Sequence, residues 1–505
     1  MAEFFNSSFQ SWWHWLLPIV VTTMELLGLA SAWHAVTRVR TSQAAVAWAV
    51  GLVALPALVL PMYWLLGRNK FSGYREAIRQ VEGEHKLSVE AVRRELLTPR
   101  NVGTHRDGSP VAVLADILDT PLCTDNRFHL LIDGEAFFND LIQQISSAQK
   151  YVYAEFYIIR DDEVGNRFAE ALCKQARHGK TVRLLYDEVG CLKLSNAYLR
   201  RLREAGVDVH AFNTRQGWAN RFQLNFRNHR KLLVVDGRRA IVGGLNIGDE
   251  YAGKAKWAPR WRDTALRVEG TAARKLQAVF AADYYWAQRL DIPEAIWSDV
   301  EDRDDPALDP ADEQTETSTS GSGRGQAAVC ATGPSDQRER ATMMFAAAAQ
   351  EARDRCWICT PYLVPDSTCI NALSMARARG VDVRLLIPAC ADQWLVYLAG
   401  FYYERVFEQV GIPVYRYPDG FLHQKCVLVD DQLALIGSTN LDNRSLHLNF
   451  ELMVAANEPR LIAEVTEMLE QDFALSEKMN PGQGRLLPWY IRIGTVLARL
   501  FSPVL

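Results

Sequence analysis

The run His229-Arg-Lys231-Leu-Leu-Val-Val-Asp236 sets an imidazole two residues from an ammonium, and His423-Gln-Lys425-Cys-Val-Leu-Val-Asp430 repeats the arrangement. Each copy leads to a glycine turn and an asparagine: Gly243-Gly244-Leu-Asn246 in the first, Gly437-Ser438-Thr-Asn440 in the second. The register is identical, because 229 to 423, 243 to 437 and 246 to 440 are each a step of 194. Residues two apart on a strand project from one face. Histidine and lysine are therefore delivered together, and two such sets in one chain point to a single site built from two halves. The chemistry that suits this site is transfer of a phosphodiester. One histidine attacks phosphorus while the other protonates the departing alkoxide. Lys231, Lys425, Asn246 and Asn440 supply donors to phosphoryl oxygens whose charge builds up during transfer.

Each half also contains a carboxylate suited to orienting its histidine. Asp263 follows His229 by 34 residues, and Glu451 follows His423 by 28. A carboxylate bonded to the far ring nitrogen fixes the tautomer and stabilises the imidazolium. No carboxylate cluster with metal spacing accompanies the histidines, so neither a metal nor another cofactor is expected.

The elements that must hold these groups are legible around them. Leu232 to Val235 and Cys426 to Val429 are short apolar runs of the kind found in buried strands. Ile145 to Tyr157 pairs with Ala347 to Tyr362, a helix end followed by a strand, and Ala205 to Phe212 pairs with Val410 to Tyr417. Strands alternating with amphipathic helices predict an α/β fold with helix-covered sheets. The approach to the histidine differs between the copies: Asn213 to Asn228 in the first stands against the brief Pro418 to Leu422 in the second. Its aromatic and basic residues, Trp218, Phe222, Phe226, Arg215, Arg221 and Arg227, suit either a lipid-entry lip or an ordinary packed loop.

Both motifs resemble the paired HxKxxxxD signatures of the phospholipase D superfamily. The runs Asn228–Gly237, Gly243–Tyr251 and Gly437–Glu451 resemble bacterial cardiolipin synthases in particular, and the resemblance covers most of the chain. It implies two phospholipase D-like domains, each a mixed sheet flanked by helices, related by a pseudo-twofold and preceded by a transmembrane hairpin. It also implies transfer between two phosphatidylglycerol molecules through a phosphatidyl-histidine, giving cardiolipin and glycerol. In that family the motif aspartates, here Asp236 and Asp430, generally support the structure, so they rank below the histidines and lysines. His229 is taken as the nucleophile and His423 as the acid and base. The rival readings are a phospholipase D that uses water as acceptor, a nucleic-acid phosphodiesterase and a non-enzymatic membrane scaffold.

Composition narrows these choices. The chain has 505 residues with net charge −4 and pI near 6.2, which argues against nucleic acid as the main partner. Nine scattered cysteines suit a reduced compartment. Cys356-Trp-Ile-Cys359 lies in an apolar run and reads as a buried strand. The sequence leaves homo-oligomerisation open.

The N-terminus predicts a membrane anchor over 1–67. Residues 16–36 are mostly apolar and 44–66 carry no charge, each long enough to span a bilayer as a helix of about 20 residues. Trp12, Trp13 and Trp15 at one end, with Tyr63 and Trp64 at another, read as interfacial belts. Pro56 and Pro61 are expected to bend the second span. Glu25 would make a polar contact with the second helix or with lipid. Arg68, Lys70, Arg75 and Arg79 outnumber Arg38 and Arg40 of the connector, so the positive-inside rule puts the catalytic domains in the cytoplasm, on a multi-pass inner-membrane protein. A membrane-proximal helical connector is expected over 68–120, the first domain over 121–298 and an acidic flexible linker over 299–326. The second domain follows over 327–484. Residues 485–505 form an amphipathic helix that either lies on anionic lipid or docks on the second domain.

Overall fold

The computed structural model describes residues 2–39, 42–67, 71, 74, 108–212, 225–254, 260–288, 324–336, 338–479 and 488–505. Expectations for Arg40, for the basic residues 68, 70, 75 and 79, for loop residues 215, 218, 221 and 222, and for the linker up to 323 lie outside the described residues. The chain divides into two compact units, Met1–Gly73 with Thr214–Phe226, and Tyr74–Asn213 with Arg227–Leu505.

In the first unit, α1 (Ala2–Arg38) is followed by α2 (Ser42–Ala54) and α3 (Pro56–Leu66). Leu16–Arg38 is long and apolar enough to cross a membrane, with mean hydropathy 1.6. The second expected span is broken, not merely bent. Pro56 has no N–H to continue α2, so a new helix starts there after Leu55 (φ −139°). Gly28 lets the helices approach closely, since a Cβ there would lie 2.6 Å from the Leu52 carbonyl oxygen. Tyr63 is a correction to the aromatic belt. It is fully buried, with its hydroxyl 2.7 Å from His34 Nδ1. Trp64 Nε1 donates to Ser31 Oγ at 3.1 Å. Glu25 is exposed on α1.

The second unit is organised by a 16-stranded sheet. Its first half contributes β1 (Leu122–Ile132), β2 (Tyr151–Phe156), β3 (Thr181–Asp187), β4 (Asp208–Phe212), β5 (Lys231–Val235), β6 (Arg239–Gly243) and β7 (Thr264–Glu269). The second half contributes β8 (Gly325–Thr332), β9 (Arg355–Cys359), β10 (Asp382–Pro388), β11 (Val414–Tyr417), β12 (Cys426–Val429), β13 (Leu433–Gly437) and β14 (Asn449–Ala456). The orders are β1-β7-β6-β5-β2-β3-β4 and β8-β14-β13-β12-β9-β10-β11, so the halves share one topology. They join where β1 pairs antiparallel with β8, Leu122 opposite Ala328, which places the pseudo-twofold between these strands. Helices cover both faces, and so β5 and β12 are buried throughout and apolar after the lysine.

The helices are α4 (Pro110–Ile117), α5 (Asp133–Ser146), α6 (Glu163–Arg177), α7 (Asn196–Glu204), α8 (Thr271–Gln288), α9 (Arg340–Glu351), α10 (Ser367–Ala378), α11 (Trp394–Gln409), α12 (Asn443–His447), α13 (Pro459–Leu475) and α14 (Trp489–Arg499). One apolar core runs under α8 and α13 across both halves. Separate cores lie on the opposite face of each half. In α4, Val111 and Leu114 join the same core cluster as Phe345 of the second half. Strand β8 begins at Gly325. All nine cysteines are unpaired, and Cys356 and Cys359 are buried in β9.

Candidate active site

The histidines sit just before β5 and β12, and each is held by the opposite half. Arg227–Asn228 pairs in parallel with Asn449–Phe450, and the His229 N–H donates to the Phe450 carbonyl at 2.9 Å. Phe421–Leu422 pairs in parallel with Trp261–Arg262, and the His423 N–H donates to the Arg262 carbonyl at 2.7 Å. These two short ladders exchange the carboxylates. His229 Nδ1 lies 3.0 Å from both oxygens of Glu451, and His423 Nδ1 lies 2.7 Å from Asp263 Oδ2. The expectation of one carboxylate per histidine within each half is therefore corrected: the pairs cross. With Nδ1–H given to a carboxylate, Nε2 of each ring is left for the chemistry, as a lone pair for attack or, when protonated, as an acid.

The close approach of these groups explains the glycine turns. A Cβ on Gly244 would lie 2.1 Å from Asp263 Oδ1, so the position must be empty for the carboxylate to fit. Its counterpart Ser438 uses the same space differently, donating its hydroxyl to Glu451 while its oxygen accepts the Leu452 N–H at 2.9 Å. Asn449 Nδ2 adds a third bond to Glu451, at 3.1 Å. Asp263 instead accepts from the Thr264 N–H at 2.8 Å and from Trp261 Nε1 at 3.4 Å.

The electrostatics of the two pairs differ accordingly. Burial works against the charge of Glu451, but His229, Lys231 and the Ser438 bond outweigh it and hold the carboxyl below its usual range. Burial pushes Asp263 up to about 6, although Lys425 and its hydrogen bonds act in the other direction. Burial also lowers His229 to about 4, and burial with Lys425, Lys231 and His229 holds His423 well below its usual value. Both lysines are buried to 1 % exposure, and each donates to the carbonyl of its own histidine. Burial brings Lys425 down to about 8 and moves Lys231 well below its usual value. An anionic phosphoryl group entering between these cations would relieve that cost.

Asn246 and Asn440 both follow the glycine turns. Asn246 accepts the Ile158 N–H at 3.1 Å and donates to the Tyr251 hydroxyl at 3.1 Å. Asn440 donates to Asp442 at 3.2 Å. An amide has two N–H donors, so each keeps one for a ligand. Asp236 and Asp430 lie elsewhere, at the far ends of β5 and β12, about 20 Å along the chain from their histidines at roughly 3.3 Å per residue. The Asp236 carboxylate accepts backbone N–H bonds from Gln149, Lys150 and Tyr151 at 2.7–2.8 Å. Asp430 does the same for Arg353, Asp354 and Arg355 at 2.8–3.0 Å. They tie the start of β2 or β9 to the strand that delivers the histidine.

Several contacts were not singled out from the sequence. Tyr157 packs edge-on to His229 with ring centroids 4.9 Å apart, and Lys231 Nζ lies 5.4 Å from the centre of the same ring. Trp261 and Phe421 flank His423 at 5.1 and 5.9 Å. The aromatic residues following β2 and within the short ladders were the available signal, but nothing in the spacing ties Trp261 to the histidine of the other half.

A duplicated, helix-covered sheet that brings two His–Lys sets together through exchanged carboxylates defines a phospholipase D-like protein. The family described as cardiolipin synthase, PLD-like domain, matches residues 141–283 and 345–473, and the chain belongs to it. It is 40% identical over 494 residues to cardiolipin synthase A of Pseudomonas aeruginosa, covering 97% of this chain and 96% of that one. It is 39% identical over 495 residues to cardiolipin synthase A of Pseudomonas fluorescens, covering 97% and 98%. The crystal structure of phosphatidylserine synthase from Haemophilus influenzae shares the fold, with TM-score 0.57 at 16% identity over 77% of this chain and 98% of that one.

Proposed function

We propose that this chain is a membrane-associated phosphatidyltransferase that makes cardiolipin from two phosphatidylglycerol molecules. The observation that carries the mechanism is the crossed pair of carboxylate-bound histidines with a buried lysine beside each. His229 Nε2 attacks the phosphorus of the donor lipid, and the bond to the headgroup glycerol breaks. His423 protonates the departing alkoxide, and glycerol leaves. His423 then takes the proton from the headgroup hydroxyl of a second phosphatidylglycerol. That oxygen attacks phosphorus, the P–N bond breaks, and cardiolipin is released with His229 restored. Lys231, Lys425, Asn246 and Asn440 hold the phosphoryl oxygens throughout. Glu451 supports His229 as the nucleophile, because an ionised carboxylate on Nδ1 stabilises the positive charge that attack places on the ring.

The anchor crosses the bilayer twice, through α1 and through α2 with α3, and the catalytic unit works on the cytoplasmic side. The basic residues after the second apolar segment support this orientation. Purified protein incubated with phosphatidylglycerol in liposomes should yield cardiolipin and an equal amount of glycerol. Phosphatidic acid as the main product would instead assign the chain to hydrolysis.

A further inference from the structure

Helix α14 is amphipathic, and its apolar face is the one turned outward. Gly494, Thr495 and Ala498 lie on the side that packs against α11, where a Cβ on Gly494 would already be 3.3 Å from Leu398 Cδ1. On the opposite side Trp489, Tyr490, Ile493, Val496, Leu497 and Leu500 are all more than half exposed, at 52–73%. Their spacing of i, i+1, i+4, i+7, i+8 and i+11 makes one continuous stripe. The helix is not a loose tail. Arg499 stacks over Tyr402 of α11 at 4.1 Å, and the Arg444 N–H donates to the Leu505 carbonyl at 2.7 Å.

The stripe continues onto α11. Gly494 meets Leu398 and Arg499 meets Tyr402, so α14 and α11 run parallel with their N-terminal ends together. Trp394 and Leu395, in the first turn of α11, are 67% and 41% exposed and extend the apolar surface at the end marked by Trp489 and Tyr490. This end borders the active site. Gln393 Nε2 donates to the Tyr362 hydroxyl at 3.3 Å, and Tyr362 also bonds Asp392. Two residues earlier, Thr360 Oγ1 accepts the N–H of Leu441, the neighbour of Asn440, at 3.0 Å.

We infer that α14 and the first turn of α11 form a platform that seats the catalytic unit on an anionic lipid surface beside the mouth of its active site. Charge selects lipid as the occupant. Helix α14 carries Arg492 and Arg499, both exposed on one flank of the stripe, and no acidic residue. Aromatic rings at one end of the stripe and arginines along its edge suit a helix lying in the headgroup region, with its apolar face among the acyl chains. Isologous pairing of two copies through this face would repeat the same cations on both sides, without the acidic partners that complementary interfaces use. The platform would let a headgroup enter the site while its acyl chains stay in the bilayer.

The test uses the full chain in phosphatidylglycerol/phosphatidylethanolamine proteoliposomes, with Cys390, the exposed cysteine, replaced by serine. A nitroxide at Val496→Cys should be more accessible to oxygen than to a water-soluble nickel chelate, and one at Glu467→Cys should show the reverse. This readout does not depend on activity. A label at 496 as open to the chelate as the one at 467 would overturn the inference. So would dipolar broadening between copies, which would mean that a second chain covers the face. A second arm replaces Val496 and Leu500 with glutamate. Turnover of phosphatidylglycerol in vesicles should fall at least tenfold, with turnover of monomerically dispersed dihexanoyl phosphatidylglycerol kept within twofold. Equal loss on both substrates would contradict the platform.

Discussion

The two halves of the catalytic unit share every major strand and one strand order, yet they complete their histidines with different chemistry. His229 rests on Glu451, which Ser438 and Asn449 also bond. His423 rests on Asp263, which fits only because residue 244 is glycine where the other half has Ser438. The middle residues of the motifs diverge too. Arg230 pairs with Asp283 of α8, whereas Gln424 donates to Asp472 of α13 at 3.2 Å and Arg262 supplies the positive charge there. A duplicated fold has thus kept its framework and let the shell around each histidine specialise. In the proposed mechanism the committed anion, Glu451, serves the ring that gains charge on attack, and Asp263, pushed up to about 6, serves the ring that exchanges protons.

The largest effects should come from uncrossing the carboxylates. Glu451→Gln should slow formation of the phosphatidyl-enzyme by roughly 10²–10⁴-fold, as tautomer errors do in carboxylate–histidine pairs. With a p-nitrophenyl donor, whose leaving group needs little protonation, Asp263→Asn should leave that step less affected than Glu451→Gln does and slow the discharge to acceptor. Rapid-quench measurement of both steps separates them, and the opposite pattern would return each carboxylate to the histidine of its own half.

Smaller changes sharpen the contrast between positions 244 and 438. Gly244→Ala drives a methyl into Asp263, an overpacking that commonly costs about 1–3 kcal/mol, and should lower both melting temperature and turnover. Ser438→Ala removes one hydrogen bond from Glu451, typically worth about 1 kcal/mol, and should reduce turnover with little change in melting temperature. Calorimetry beside a lipid product assay tests the pair.

The pH profile carries the same asymmetry. Asp263 is ionised above about 6, and Lys425 is charged below about 8. kcat/KM should therefore rise through pH 6 and fall through pH 8. Lys425→Arg, which keeps its charge, should move only the alkaline limb upward. A profile flat between 5 and 9 would remove both groups from the rate. The smallest expected effect is that of chelation: activity should be unchanged in EDTA, because two lysines supply the charge stabilisation. Loss restored by one divalent ion would contradict this.

Much of this arrangement was legible in the chain. The repeated His-x-Lys spacing, the apolar runs behind each lysine and the helix–strand pairs around Tyr157 and Tyr362 anticipated the duplicated sheet, because side-chain alternation and burial act locally. The exchange of carboxylates was not legible. Glu451 is 222 residues from His229 and Asp263 is 160 from His423, and the ladders that bring them together are two residues long. Sequence proximity favoured the wrong partner for each. The burial of Tyr63 was not legible for a related reason: it depends on how α1 meets the later helices, which composition does not encode.

The central claim is that one histidine, His229, forms the covalent intermediate and the other moves protons. The most direct measurement is acid-sensitive labelling of the protein by a phosphatidyl p-nitrophenyl donor, whose leaving group needs little protonation, in His229→Ala and His423→Ala. The expected result is label on His423→Ala, turning over slowly, and none on His229→Ala. Label on His229→Ala alone would reverse the roles, and label on both would mean that either ring can attack and that the two halves have not specialised.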